Sequence, residues 1–257
     1  MASRLGGGGG YRRAIGPAIP PSSPAAALHD DARVLPERLT TDVHGLVKPF
    51  LRGRIHLAAF VLSLPAGALL MAQARTGRSL ASALIYACSL TALYGASSAY
   101  HRLGRTIRSQ RWLRRVDHGT IYVLIAGTYT PICLLVLEGP LRWSVLAGVW
   151  LAAASGFAMK LVRFEGSHFL GSFLYAAMGL AAFVIAPQLV SSLPVWVWGL
   201  LVLGGAIYGV GALVLARRWP DPQPRVFGYH EIWHTLVVVA GACHYAVVLH
   251  VVRTPPV

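Results

Sequence analysis

The chain ends in a long apolar run, HEIWHTLVVVAGACHYAVVLHV (residues 230–251), which begins with two histidines four residues apart. The run is close to the ~20 residues that a helix needs to cross a bilayer. Side chains four residues apart lie on one face of a helix, so both imidazoles can reach a single divalent metal ion. The run therefore predicts a membrane-spanning helix that carries part of a metal site at its start.

Six further apolar runs of similar length precede it. Short connections separate most of the runs, which places consecutive helices side by side. The fold class that they predict is an all-α membrane protein, a bundle of seven transmembrane helices. The predicted spans are 55–73, 80–100, 117–137, 143–161, 169–189, 195–215 and 230–251.

Composition agrees with a membrane protein. Hydrophobic residues make up 55% of the chain and charged residues only 12%, against about a quarter charged in soluble domains. The net charge of +14 would also suit nucleic acid, but the basic residues lie between apolar runs, as membrane flanks do. We therefore expect membrane lipids as partners, no nucleic acid, and a multi-pass protein of the plasma membrane.

Residues 1–41 differ from the rest of the chain. They contain a run of five glycines, several prolines and no helical or strand period, which predicts a disordered cytosolic tail. A signal peptide would need a continuous apolar core, and none occurs before Leu51. The predicted transmembrane domain is therefore 42–257, with targeting supplied by its first span.

Lysine and arginine are distributed unevenly between the two ends of the predicted bundle. Nineteen lie on the side of the amino terminus and only four on the other side, namely Arg75, Arg78, Arg142 and Arg253. Basic connections stay in the cytosol during insertion. The amino terminus is therefore predicted to be cytosolic and the carboxyl terminus outside.

This topology brings distant polar residues to one depth. Ser97 and His101 end the second span, Asp117 begins the third, and His230 and His234 begin the seventh. Ionisable groups just inside a bilayer are costly and usually face the interior of the bundle. Their coincidence predicts a functional site at the cytosolic boundary.

The residue types point to metal chemistry. His101, His230 and His234 are the predicted ligands of one Zn2+ ion, leaving one tetrahedral position open for a water that the metal acidifies. Asp117 is the predicted catalytic residue that orients or deprotonates this water, and Ser97 is a second hydrogen-bond partner. His118 is expected to support the site from outside the ligand set or to lie at the membrane interface. Five further histidines receive no role, namely His29, His44, His56, His168 and His250.

The motifs resemble those of the bacterial hemolysin III family. They are SSAYH (97–101), DHGTIYVLIAGTYTP (117–131) and HEIWH (230–234), with VKPFLRG (47–53) before the first span. Through them the chain is also similar to the progestin and adipoQ receptors and, more distantly, to the alkaline ceramidases. The resemblance implies seven helices with zinc on His101, His230 and His234, while Ser97 and Asp117 support the water.

Glu231 invites a second interpretation, because H-E-x-x-H is a zinc-hydrolase pattern in which the glutamate is a general base. Related receptors have glutamine at this position, so the resemblance assigns the base to Asp117 and leaves Glu231 as a solvated interfacial carboxylate. A site-2-type protease would need a third ligand from an acidic motif, which we do not find in the sequence. His244 lies too deep to share the metal and is expected to make a hydrogen bond between helices.

Three function classes stay open on the sequence alone. The favoured one is a zinc-dependent intramembrane hydrolase of lipid amide or ester bonds, a ceramidase-like activity whose substrate class comes from the resemblance. The second is a cytolytic or channel-like protein. Two observations count against it, since the spans show no charged pore lining and the sequence shows no secretion signal. The third is a ligand-sensing receptor with structural zinc, although no signalling domain is recognisable.

Overall fold

The computed structural model describes residues 49–162 and 168–254, and these residues form seven α-helices. Each helix is long and apolar enough to cross a membrane, which confirms the predicted fold class. The predicted tail, 1–41, lies outside the described residues. The helices are α1 (Arg54–Ala72), α2 (Gly77–Leu103), α3 (Ile107–Leu135), α4 (Gly139–Val162), α5 (His168–Ser192), α6 (Val195–Arg217) and α7 (Tyr229–Arg253).

Consecutive helices pack on one another, and α7 returns to contact α1, α2 and α3 as well. Because the helices alternate in direction, the starts of α1, α3, α5 and α7 share one end of the bundle with the ends of α2, α4 and α6. We call this the histidine end, since His101, His230 and His234 lie there.

Helix α3 begins ten residues before the predicted third span. A capping box sets its start, because the Thr106 hydroxyl accepts the Ser109 N–H at 3.1 Å and the Ser109 hydroxyl accepts the Thr106 N–H at 2.9 Å. The predicted start of the third span at residue 117 was therefore wrong as the start of the helix. Hydropathy marks the part of a helix that lies in the membrane, whereas the cap decides where the helix begins.

Tyrosine hydroxyls join helices inside the bundle. Tyr129 on α3 donates to the carbonyl of Met178 on α5 at 2.8 Å, and Tyr245 on α7 donates to the carbonyl of Ala66 on α1 at 2.8 Å. Each ring makes apolar contacts, and its hydroxyl is hydrogen-bonded, which matters because an unpaired polar group is costly in hydrocarbon. These bonds hold α3 against α5 and α7 against α1.

The outward faces of the helices are apolar. Leu62 is 67% exposed, Phe183 75% and Val195 74%. Large exposed apolar surfaces are unfavourable in water but are the normal surface of a protein that lies in lipid. The outer face of the bundle thus agrees with the seven membrane spans.

The segment Pro49–Gly53, here called the strap, connects the start of α1 to the loop before α7. The Phe50 N–H donates to the carbonyl of Arg225 at 2.9 Å, and the Leu51 N–H donates to the carbonyl of Val226 at 3.2 Å. The strap therefore places the first residues of α1 beside the first residues of α7, at the histidine end.

Cysteine labelling tests the proposed orientation of the bundle. In a variant whose three native cysteines are replaced by alanine, Glu138→Cys introduces a thiol between α3 and α4, and Gln223→Cys introduces one at the histidine end. Because the basic end stays in the cytosol, an impermeant maleimide should label position 138 in intact cells and position 223 only after permeabilisation. The reverse pattern would contradict the proposed orientation.

Candidate metal centre

Three histidine rings from two helices meet at the histidine end. His101 lies near the end of α2, while His230 and His234 occupy the first two turns of α7. The Nε2 atom of His101 is 3.3 Å from that of His230 and 3.2 Å from that of His234. The structure thus brings together all three predicted ligands in a cluster able to hold a metal ion.

Hydrogen bonding alone does not satisfy this arrangement. A neutral imidazole nitrogen carries either one N–H or one lone pair, and the His101 Nε2 faces two other ring nitrogens at once. One of its two contacts is therefore left without a good hydrogen bond. A cation between the rings would use all three lone pairs and remove this conflict.

The separations also fit a particular coordination geometry. A tetrahedral zinc ion with Zn–N distances of ~2.0–2.1 Å requires ligand nitrogens roughly 3.3 Å apart. The two Nε2 separations of 3.2 and 3.3 Å that involve His101 agree with this value. Two of the three separations are therefore those of a tetrahedral metal site, and all the ligand atoms lie within 4.8 Å of one another.

Gly53 allows the strap to pass directly behind His101. Its φ of +76° is in the left-handed region that favours glycine. A Cβ atom at Gly53 would lie 2.7 Å from the Cβ of His101, closer than side chains approach. Any larger residue at this position would push the strap or His101 out of place.

Glu231 is buried, with 0% exposure, so the expectation of a solvated interfacial carboxylate was wrong. Its Oε1 lies 2.5 Å from the Arg52 Nε, and its Oε2 accepts the Gly228 N–H at 3.0 Å. Both oxygens hold the start of α7, on which two of the three histidines lie. The sequence did not indicate this role, because Arg52 is 179 positions away.

A second carboxylate supports the start of α7. Asp221 Oδ1 accepts the Tyr229 N–H at 3.0 Å, next to the contact that Glu231 makes with Gly228. The amino-terminal end of a helix carries a partial positive charge that disfavours cations. Asp221 offsets part of this charge, whereas the charge of Glu231 is balanced by Arg52.

His56 on α1 is the residue that the sequence analysis missed. It is 3% exposed, and its Nε2 lies 3.2 Å from the His234 Nδ1. When His234 Nδ1–H donates to His56, the Nε2 of His234 keeps its lone pair for a metal, which is how such partners fix the ligating tautomer. In the sequence His56 is only a polar residue at the start of a span. Its contact with His234 becomes visible only in the fold, where α7 packs against α1.

Ser97 and Asp117 form a second polar group beside the histidines. Ser97 lies one turn before His101 on α2 and is 1% exposed. Within the ranges 49–162 and 168–254 its hydroxyl makes no hydrogen bond of good geometry, but it lies close enough to the Asp117 carboxylate to interact with it. Asp117 is also buried, with Oδ2 3.6 Å from the His118 Nδ1. A buried hydroxyl and a buried carboxylate that lie side by side suit a bound water between them.

His244 lies apart from this group, as expected. Its Nε2 contacts the carbonyl of Leu201 on α6 at 3.4 Å, a contact between helices. The candidate ligand set, whose atoms all lie within 4.8 Å of one another, consists of His101, His230 and His234. Asp117 is outside that set, which is consistent with its predicted role as a partner of water rather than of the metal.

Comparisons with known proteins cover the elements that build this site. The family model described as "Haemolysin-III related" matches residues 44–245, which include all three histidines. The "Hemolysin-3 homolog" of Bacillus subtilis is 32% identical over 204 residues, 78% of this chain and 92% of that protein. "Hemolysin-3" of Bacillus cereus is 31% identical over 198 residues, 76% and 87% of the two chains. The human "Monocyte to macrophage differentiation factor" is 29% identical over 183 residues, 68% and 72%.

Substitution of His56 tests its contact with His234. His56→Phe keeps an aromatic ring but loses the acceptor for His234 Nδ1–H, and loss of such a partner typically weakens metal affinity about 10–100-fold. His56→Gln offers an oxygen near the former Nε2 position and should retain more of the affinity. Competition with a fluorescent zinc chelator measures both variants, with His244→Phe as the matched control. Equal affinity of the His56→Phe variant and the wild type would contradict this role.

Proposed function

This chain belongs to the hemolysin III family, and on that basis we propose that it is a zinc-dependent hydrolase of lipid amide or ester bonds in the cell membrane. One observation carries the proposal: three histidine nitrogens face one another beside a buried hydroxyl and carboxylate. Three nitrogen ligands with one open position distinguish catalytic from structural zinc sites. The ligand set supports zinc, since imidazole suits this ion and hydrolysis needs no redox change.

When bound, a zinc ion supplies Lewis acidity, which makes water easier to deprotonate and a carbonyl easier to attack. His101, His230 and His234 are the residues that would hold it. Each must present its Nε2 unprotonated, and the contact with His56 favours this state for His234. Glu231 and Arg52 keep α7 in the register that these contacts need.

Asp117 and Ser97 handle the proton in the proposed reaction. Asp117 accepts a proton from the attacking water as the water oxygen bonds to the carbonyl carbon of the lipid. The Ser97 hydroxyl, which is buried near the Asp117 carboxylate, orients that water. The carbon–nitrogen or carbon–oxygen bond then breaks, and Asp117 returns the proton to the leaving amine or alcohol. The products are a fatty acid and the de-acylated lipid.

The position of the cluster supports a lipid substrate. His230 and His234 lie in the first two turns of α7, near the boundary between hydrocarbon and headgroups in a span of this length. The amide and ester linkages of membrane lipids lie at this boundary. The apolar outer faces of the bundle let such a lipid approach from the side.

Membrane lysis is the second candidate function, because two of the compared relatives are named hemolysins. The two proposals differ in their dependence on the metal centre. Dye leakage from vesicles that persists in the His101→Ala variant would favour lysis. If the His101→Ala variant loses both dye leakage and lipid cleavage, lysis is a consequence of hydrolysis.

Substitutions of Asp117 and Ser97 test the hydrolase proposal. Asp117→Asn should lower turnover by roughly 10²–10⁴-fold, because it removes the general base. Ser97→Ala should lower turnover by about tenfold, because it removes one hydrogen bond to the water. Both variants should keep their zinc, since neither residue is a proposed ligand. Fatty-acid release from ceramide and glycerolipid vesicles, measured by mass spectrometry, reports the activity.

The control for this assay is His250→Ala, which changes a histidine of α7 at the opposite end of the bundle and should leave turnover unchanged. Zinc-loaded wild-type protein that releases no fatty acid from any of these lipids would contradict the proposal. Wild-type rates in the Asp117→Asn variant would remove Asp117 from the mechanism.

A further inference from the structure

A shallow groove lies between α1 and α2 at the histidine end, on the outside of the bundle. One side of it is apolar, formed by the α1 face that points away from the core. Two arginines, one from each helix, close its polar end. The lining residues are Leu57, Ala58, Val61 and Leu62 with Arg54 and Arg102.

Among the described residues, the two arginines of the groove have no acidic partner. Arg54 stacks over the Phe50 ring at 3.6 Å, and both guanidinium groups are free of ion pairs in the part of the chain that the structure describes. Arg52, only two residues before Arg54, is instead neutralised by Glu231. Arg52 is thus partly buried and neutralised, whereas Arg54 and Arg102 are exposed positive charges at the groove.

The strap lies beside the stem of Arg102, and both arginines line the groove. Arg54 directly follows Gly53 in sequence, and a Cβ at Gly53 would lie 3.0 Å from the Cγ of Arg102. The stem of Arg102 therefore packs on the residue next to Arg54. Two guanidinium groups in this position can bind one phosphate through several N–H donors, a geometry that arginine favours.

We propose that the groove binds one anionic phospholipid. Its phosphate would pair with Arg54 and Arg102, and one acyl chain would lie along Leu57, Val61 and Leu62. The occupant must be anionic at one end and apolar along its length, because the groove is positively charged at one end and apolar along its wall. Val61 and Leu62 are 56% and 67% exposed on a helix that spans the membrane, so the occupant arrives from the lipid phase. A soluble phosphate would leave this apolar wall uncovered.

This site is distinct from the metal centre but lies close to it. Gly53 lies against both, since a Cβ at this position would be 2.7 Å from the Cβ of His101 and 3.0 Å from the Cγ of Arg102. The proposal concerns binding alone and does not depend on lipid hydrolysis.

Native mass spectrometry of the purified full chain tests the site. The protein in detergent is titrated with phosphatidylglycerol or with phosphatidylcholine of the same acyl chains, and the affinity of the first bound lipid is compared. The wild type should prefer phosphatidylglycerol. Arg54→Gln and Arg102→Gln should each weaken this binding about fivefold, the effect of one basic residue near an anionic headgroup. Ala58→Trp, which fills the groove without changing the charge, should weaken binding of both lipids.

Arg108→Gln is the matched control, because Arg108 is an exposed arginine at the same end of the bundle that does not line the groove. It should bind phosphatidylglycerol like the wild type. An equal loss in Arg108→Gln would show general charge attraction and overturn the proposal. Equal affinity for the two lipids would also overturn it. So would a dimer of the chain that carries no bound lipid, because a second copy would then be the occupant of the groove. Unchanged zinc content in the groove variants shows that the fold is intact.

Discussion

The position of the His101 Nε2 is the constraint around which the rest of the structure is arranged. This atom faces two other histidine nitrogens, at 3.2 and 3.3 Å, and such an arrangement is unfavourable without a cation. Without a cation, neutral rings in this position leave a donor or acceptor unpaired in a partly buried place, which is costly. Several elements nevertheless converge to maintain it. Gly53 lets the strap pass behind His101, and His56 contacts the far side of His234. The arrangement is best explained as a site organised for a metal ion.

The ion pair between Arg52 and Glu231 is the long-range contact that maintains this arrangement. A buried ion pair often contributes little net stability, because both charges lose their hydration. Here the carboxylate also accepts the Gly228 N–H, so the pair caps a helix as well as neutralising a charge. Its main effect is positional, since it fixes the strap and the start of α7 relative to each other. Removing one partner would leave the other charge uncompensated beside the histidines.

Much of the architecture was predictable, because a bilayer imposes a length and an apolar composition on each span. The pairing of His230 with His234 follows from helical spacing, and the addition of His101 follows from the alternating direction of the helices. The start of α3 was misjudged, since the Thr106–Ser109 cap acts outside the apolar run. The roles of His56 and Glu231 were also missed. Both depend on partners more than 170 positions away in the sequence, which no local pattern reveals.

The central claim is that His101, His230 and His234 together bind one zinc ion. Metal analysis of the purified full chain by inductively coupled plasma mass spectrometry tests it most directly. The account predicts about one zinc per chain in the wild type and in the His244→Ala control, and loss of zinc in each of His101→Ala, His230→Ala and His234→Ala. Full zinc content in any one of these three folded variants, or a wild-type protein that takes up no zinc, would contradict it.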